Sequence, residues 1–129
     1  MQSKFTVLIL DDENVLAEML KKSITQLNDG HTYGVITASD GLSALQIIKD
    51  PVEKVDVLIT DLMHPEISGV ELIQTVRENF PQIKIIVETG FGDREILDLC
   101  NIYADKVLKK PFKITDLTKA ITHLLPDGK

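Results

Sequence analysis

A single cysteine, Cys100, is all that this 129-residue chain has. That excludes an internal disulfide framework and any multi-cysteine metal site. One cysteine in a helix-like stretch reads as a small buried hydrophobe. Long apolar runs are also missing, and the longest falls far short of the roughly 20 residues that cross a bilayer. Positive charge is scarce: 14 Lys and Arg stand against 20 Asp and Glu, for a formal charge of -6. With a pI near 5.0, unaided binding to nucleic acid or to anionic membranes is not expected. No glycine-rich loop follows the first apolar run, which argues against dinucleotide binding. There is no internal repeat and no low-complexity segment. Met1-Gln2-Ser3-Lys4 leads straight into a strand pattern, so no signal peptide is expected, and the reducing cytoplasm is the expected compartment.

What is present suits one compact domain. Hydrophobic residues make up 43%, and the mean hydropathy is +0.06. One domain over residues 1–125 is expected, with 126–129 as a tail or linker stump. Phe5 to Leu10 is apolar except for Thr6, as in a strand buried on both faces. Val15, Leu16, Met19, Leu20, Ile24 and Leu27 then recur at helical spacing, until Asn28-Asp29-Gly30 stops the helix. Tyr33 to Ala38 reads as a second strand, and Leu42, Leu45 and Ile48 as the apolar face of a short helix ending at Asp50-Pro51. Val55 to Thr60 is the third strand. Ser68 and Glu71 have the capping-box form, starting a helix with Val70, Ile73, Val76 and Phe80 inward. Ile83 to Glu88, a weaker helix over 93–102, a short strand at Lys106 to Lys109 and a last helix with Leu117, Ile121, Leu124 and Leu125 complete the chain. This alternation predicts a doubly wound α/β fold: five parallel strands in one sheet, each followed by a helix.

In such sheets ligands bind beyond the carboxyl ends of the strands. Asp11 and Asp12 follow the first strand, Asp61 the third, Thr89 the fourth and Lys110 the fifth. Any one of these fragments alone is better read as a cap or a turn. Together they place three carboxylates, a hydroxyl and an ammonium on one sheet edge. Clustered carboxylates repel and raise one another's pKa unless a cation joins them. Hard oxygen ligands with room for water favour Mg2+. Asp61 is then the plausible nucleophile toward phosphorus, giving an acyl phosphate. The cation and Lys110 would neutralise the phosphoryl oxygens, and Thr89 would donate to one.

With these residues in view, the chain resembles the receiver domain of bacterial two-component response regulators from Phe5 to about Leu125. The matching motifs are Asp11-Asp12, the loop D-L-M-H-P-E-I-S-G from Asp61 to Gly69, Thr89-Gly90, and K-P-F from Lys110. The resemblance implies a flavodoxin-like fold with Asp61 as phosphoryl acceptor. It implies Mg2+ ligation by Asp12, Asp61 and the backbone carbonyl of Met63, with Asp11 acting partly through water. Lys110 would contact the phosphoryl group, Thr89 would move toward it, and the peptide before Pro111 would be cis. The implied role is a phosphorylation switch and not a turnover enzyme, catalysing only its own phosphorylation and slow dephosphorylation. The donor would be a histidine kinase or phosphotransfer protein. The output partner would dock on the face made by the fourth helix, fifth strand and fifth helix, and a phosphorylation-dependent homodimer is among the assemblies implied. A pseudo-receiver that only binds a partner or dimerises is the alternative. A phosphatase would need a second Asp where Met63 stands.

Three positions, Val107, His64 and Glu88, depart from the family pattern, and Met63 and Phe91 stand where the family tunes hydrolysis. Val107 stands where an aromatic ring usually relays the switch. His64 replaces a common Met and reads as a solvated loop residue. Met63 and Phe91 cannot position a water, which predicts a long-lived phosphoryl group. Glu88 occupies a commonly apolar position. Because Glu88 and Lys109 each precede a site residue, they are expected to share a face and to pair across strands four and five.

Overall fold

In a computed structural model of the chain, the residues described are 3–11, 13–27, 30–61, 69–90 and 94–125. The expected alternation is present. The elements run β1 (Ser3–Leu10), α1 (Asn14–Thr25), β2 (His31–Ala38), α2 (Gly41–Lys49), β3 (Val57–Asp61), α3 (Gly69–Asn79), β4 (Lys84–Thr89), α4 (Arg94–Tyr103), β5 (Lys106–Lys109) and α5 (Ile114–Leu124). All five strands are parallel, in the order β2-β1-β3-β4-β5. The order reverses between β1 and β3, and the crevice outside their carboxyl ends is where such a sheet binds ligands.

The two-residue period of a strand divides the core in two. Val7, Ile9, Val57, Ile59, Ile86 and Leu108 face α1 and α5, packing on Ala17, Leu20, Ile24, Leu117 and Ile121. Leu8, Leu10, Leu58, Ile85 and Val87 face the other side, against Ala44 and Ile48 of α2, Leu72, Ile73 and Val76 of α3, and Cys100 of α4. The Cys100 thiol is free and fully buried, and burial raises its pKa. The small-hydrophobe reading of this residue holds.

Two helical faces are rotated from their expected positions. Val15 and Met19 of α1 are 76% and 52% exposed, and Leu42 of α2 is 59% exposed. Inside sit Ala17 with Leu20 and Ile24, and Gly41 with Ala44 and Ile48. Small residues let a helix approach the sheet closely, so large apolar side chains at the flank are left in solvent. Asp40 caps α2 by accepting from the Ser43 amide at 2.7 Å, which supplies a partner for one otherwise unpaired N–H. The Ser68 capping box, Asn28 and Asp29, and the tail 126–129 lie outside the described residues. No helix among the described residues is long and apolar enough to cross a membrane.

At the amino edge of the sheet, Arg77 of α3 ties three segments together. Its guanidinium donates to the Tyr103 carbonyl at 2.9 Å and the Pro81 carbonyl at 3.3 Å, and pairs with Asp105. Asp105 also accepts from the Ile85 amide at 2.8 Å. These bonds tie the end of α3 to the starts of β4 and β5.

Candidate functional site

Strand parity decides which side chains meet at the carboxyl edge. Asp11 continues the α1-facing set of Val7 and Ile9, and Asp61 continues that of Val57 and Ile59. In the β3–β4 ladder Asp61 lies directly opposite Glu88, and directly opposed residues project to the same face. Glu88 in turn shares the face of Ile86. Lys110 lies two residues beyond Leu108, on that face again. The ladder thus assembles Asp11, Asp61, Glu88 and Lys110 on the α1–α5 side, and the one-residue offset puts Thr89 on the other.

The three carboxylates each present an oxygen within 4.8 Å of the others. All are buried: Asp11 is 3% exposed, Asp61 6% and Glu88 1%. The Lys110 ammonium is hydrogen-bonded and ion-paired to Oδ2 of Asp61. Asp11 Oδ1 accepts from the Glu13 amide at 2.8 Å. Asp11 Oδ2 and Glu88 Oε1 are buried with no hydrogen-bond partner among the described residues. Unpaired buried carboxylate oxygens are expensive. Both belong to carboxylates of one acidic cluster, where a bound cation would relieve that cost.

The electrostatics agree. Burial, and then the charge of Asp61, raise the Asp11 pKa, against the opposing Glu13 hydrogen bond and Lys110 charge. Glu88 is pushed up to about 7, first by burial and then by the Asp11 and Asp61 charges, with Lys110 opposing. For Lys110, burial works downward, but the hydrogen bond and charge of Asp61 with the Glu88 and Asp11 charges win and raise it. Three carboxylates and one ammonium leave the cluster short of positive charge. Its all-oxygen donor set fits a hard divalent cation such as Mg2+.

Of the residues expected at this site, Asp11, Asp61 and Lys110 come together as read. Thr89 is fully buried at the same edge, where its carbonyl accepts from the Lys110 amide at 2.8 Å. The Lys110-Pro111 peptide is cis, as expected. Val107 is half-buried beside Val87 and lines a shallow cleft with Arg94, Leu97, Asp98, Asn101 and Lys109. Asp12, Met63, His64 and Phe91 lie outside the described residues.

The expected Glu88–Lys109 pair is not formed. The ladder sets Lys109 opposite Thr89 and Leu108 opposite Glu88. Lys109 is therefore on the opposite face from Glu88, exposed beside α4. The expectation took β4 and β5 to end in step, whereas β5 reaches one residue further before its site residue, and a one-residue shift reverses every side chain. Glu88 is a cluster member that the strand-end reading missed. The signal was available: it falls an even number of residues after Ile86, and Asp61 an even number after Ile59.

A family profile for the response regulator receiver domain matches residues 7–122. The receiver protein CpdR of Brucella abortus is 31% identical over 120 residues, which cover 92% of this chain and 95% of that protein. A cyclic di-GMP phosphodiesterase of Thermotoga maritima is also 31% identical, over 121 residues, but the matched part is only 31% of its length. A solved receiver-domain structure from Clostridium thermocellum is 30% identical, with a TM-score of 0.79 and 92% of both chains covered.

Proposed function

Because this chain belongs to the response regulator receiver domain family, we propose that Asp61 accepts a phosphoryl group in two-component signalling. The observation that carries this is the placement of Asp61: buried at the carboxyl end of β3, held by Lys110 and flanked by Asp11. In the proposed step, an Asp61 oxygen bonds to phosphorus as the phosphorus–nitrogen bond of a phosphohistidine donor breaks. The electron pair leaves with the imidazole nitrogen, and Asp61 becomes an acyl phosphate. A histidine kinase or phosphotransfer protein would supply the group, and acetyl phosphate would serve in vitro with acetate leaving.

Asp11, Asp12, Asp61 and the Met63 carbonyl are the residues proposed to hold Mg2+. When bound, the ion supplies charge neutralisation of the phosphoryl oxygens. Lys110 starts on the Asp61 carboxylate and transfers its hydrogen bonds to the arriving phosphoryl oxygens; its raised pKa keeps it charged throughout. The Thr89 hydroxyl then turns toward the phosphoryl group. That motion, with Val107 next to it, biases a two-state surface formed by α4, β5 and α5 toward an output partner. The half-buried Val107 and the cleft beside it leave room for such a rearrangement. We place the protein in the cytoplasm as a switch.

The test is incubation with Mg2+ and acetyl phosphate, followed by intact mass. Wild type should gain one phosphoryl adduct and Asp61→Asn none. Absence of an adduct on the wild type, under conditions that label other receivers, would instead mark a binding-only pseudo-receiver.

A further inference from the structure

The proposed site takes its carboxylates from the ends of β1 and β3, and Glu88 adds one from β4. We propose that Glu88 is itself a direct ligand of the divalent cation, a third strand's contribution that replaces one coordinated water. This rests on the reading of the cluster as a cation site and adds a ligand to it.

Three observations converge on Glu88. Its position is fixed by the sheet and not by a loop, since it sits directly opposite Asp61 in the β3–β4 ladder. It is 1% exposed, and its Oε1 has no hydrogen-bond partner among the described residues. A carboxylate oxygen in that state lacks both water and a donor, the condition that a bound cation relieves. One of its carboxylate oxygens is also within 4.8 Å of oxygens on both Asp11 and Asp61. Ligands of one Mg2+ stand roughly 3 Å apart when adjacent and about 4 Å when opposite, from metal–oxygen distances near 2.1 Å. Small side-chain rotations close that gap. The Lys110 ammonium lies on Asp61, leaving Glu88 Oε1 for the ion.

A direct ligand and a nearby charge predict different things. Any negative charge near the site strengthens cation binding, but only a ligand displaces an inner water. Cation affinity of the full chain is measured by calorimetry with Mg2+ and Mn2+ at pH 8, without phosphodonor. The number of waters on bound Mn2+ is measured by proton relaxation. Glu88→Gln should weaken both cations on the order of tenfold or more and add one water to bound Mn2+. Glu88→Asp keeps the charge but is one methylene short, and it should gain the same water. Weakened binding with an unchanged water count in both variants would show a field effect only and overturn the assignment, as would unchanged affinity. Asp61→Asn separates the two levels. If wild type and Asp61→Asn both fail to bind either cation, the cation site itself is refuted, whereas normal wild-type binding with an indifferent Glu88→Gln refutes the ligand alone.

Discussion

Holding three carboxylates at one buried point costs the cation-free protein stability, and Glu88 allows that cost to be measured. Its carboxyl titrates at about 7 against an ordinary value of 4.5. Between those values the folded state binds a proton that the unfolded state has released, so unfolding becomes easier as pH rises through the window. The stabilising contribution of the protonated form is complete below about pH 4.5 and is gone once pH passes 7. The difference between those two values corresponds to about 3 kcal/mol, a large share of the roughly 5–15 kcal/mol that holds a domain folded. Burial leads the causes, with the Asp11 charge second. Gln has the shape of protonated Glu and cannot ionise. In the presence of chelator, Glu88→Gln should therefore match wild type at pH 4.5 and exceed it by about 3 kcal/mol at pH 8. Urea denaturation followed by far-UV circular dichroism at a series of pH values reads the difference directly. A variant less stable than wild type at pH 8, or a difference that does not grow with pH, would refute the reasoning.

Further outcomes follow from the same geometry. Mg2+ should stabilise wild type, by about 2.7 kcal/mol at a hundred times its dissociation constant, and Asp11→Asn should lose most of that gain in thermal melts with and without the ion. Arg77→Ala removes three bonds from the guanidinium and leaves the Asp105 carboxylate without its cation. It should cost about 2–3 kcal/mol in urea denaturation and leave Mg2+ affinity within twofold, because the staple lies at the opposite edge of the sheet. The phosphoryl group on Asp61 should persist for minutes or longer without a phosphatase, since Met63 and Phe91 carry no group able to position a water; loss within seconds by intact mass would contradict this.

The fold was legible because each strand is a short unbroken apolar run, and a run buried on both faces belongs in a parallel sheet between helices. Asp11, Asp61 and Lys110 were legible for a related reason: polar residues at the ends of such runs stand out. The helix faces were harder. Val15, Met19 and Leu42 fit the helical period, but Ala17, Gly41 and Ala44 fit it too and pack closer. A pattern that counts only large side chains turns the helix toward the wrong flank. The Arg77–Asp105 pair joins residues 28 apart, and no local spacing announces it.

Glu88 shows what the strand-end reading lacked. That reading asked which residue comes last on each strand, and for β4 the answer was Thr89. The ladder asks which residues share a face, and pairs Asp61 with Glu88. The two answers differ by one residue, hence by opposite sides of the sheet. Thr89 faces the helices α2 to α4, on the same side as Val87 and Val107, whereas Glu88 faces the acidic cluster. Adjacent residues of β4 thus face opposite sides of the sheet, and under the proposed reading Thr89 serves the output surface and Glu88 the cation. A cation bound through Glu88 would fix the backbone at the residue before Thr89. Cation occupancy and the Thr89 movement would then be coupled through a single peptide unit, in a chain where Val107 lacks the usual aromatic ring.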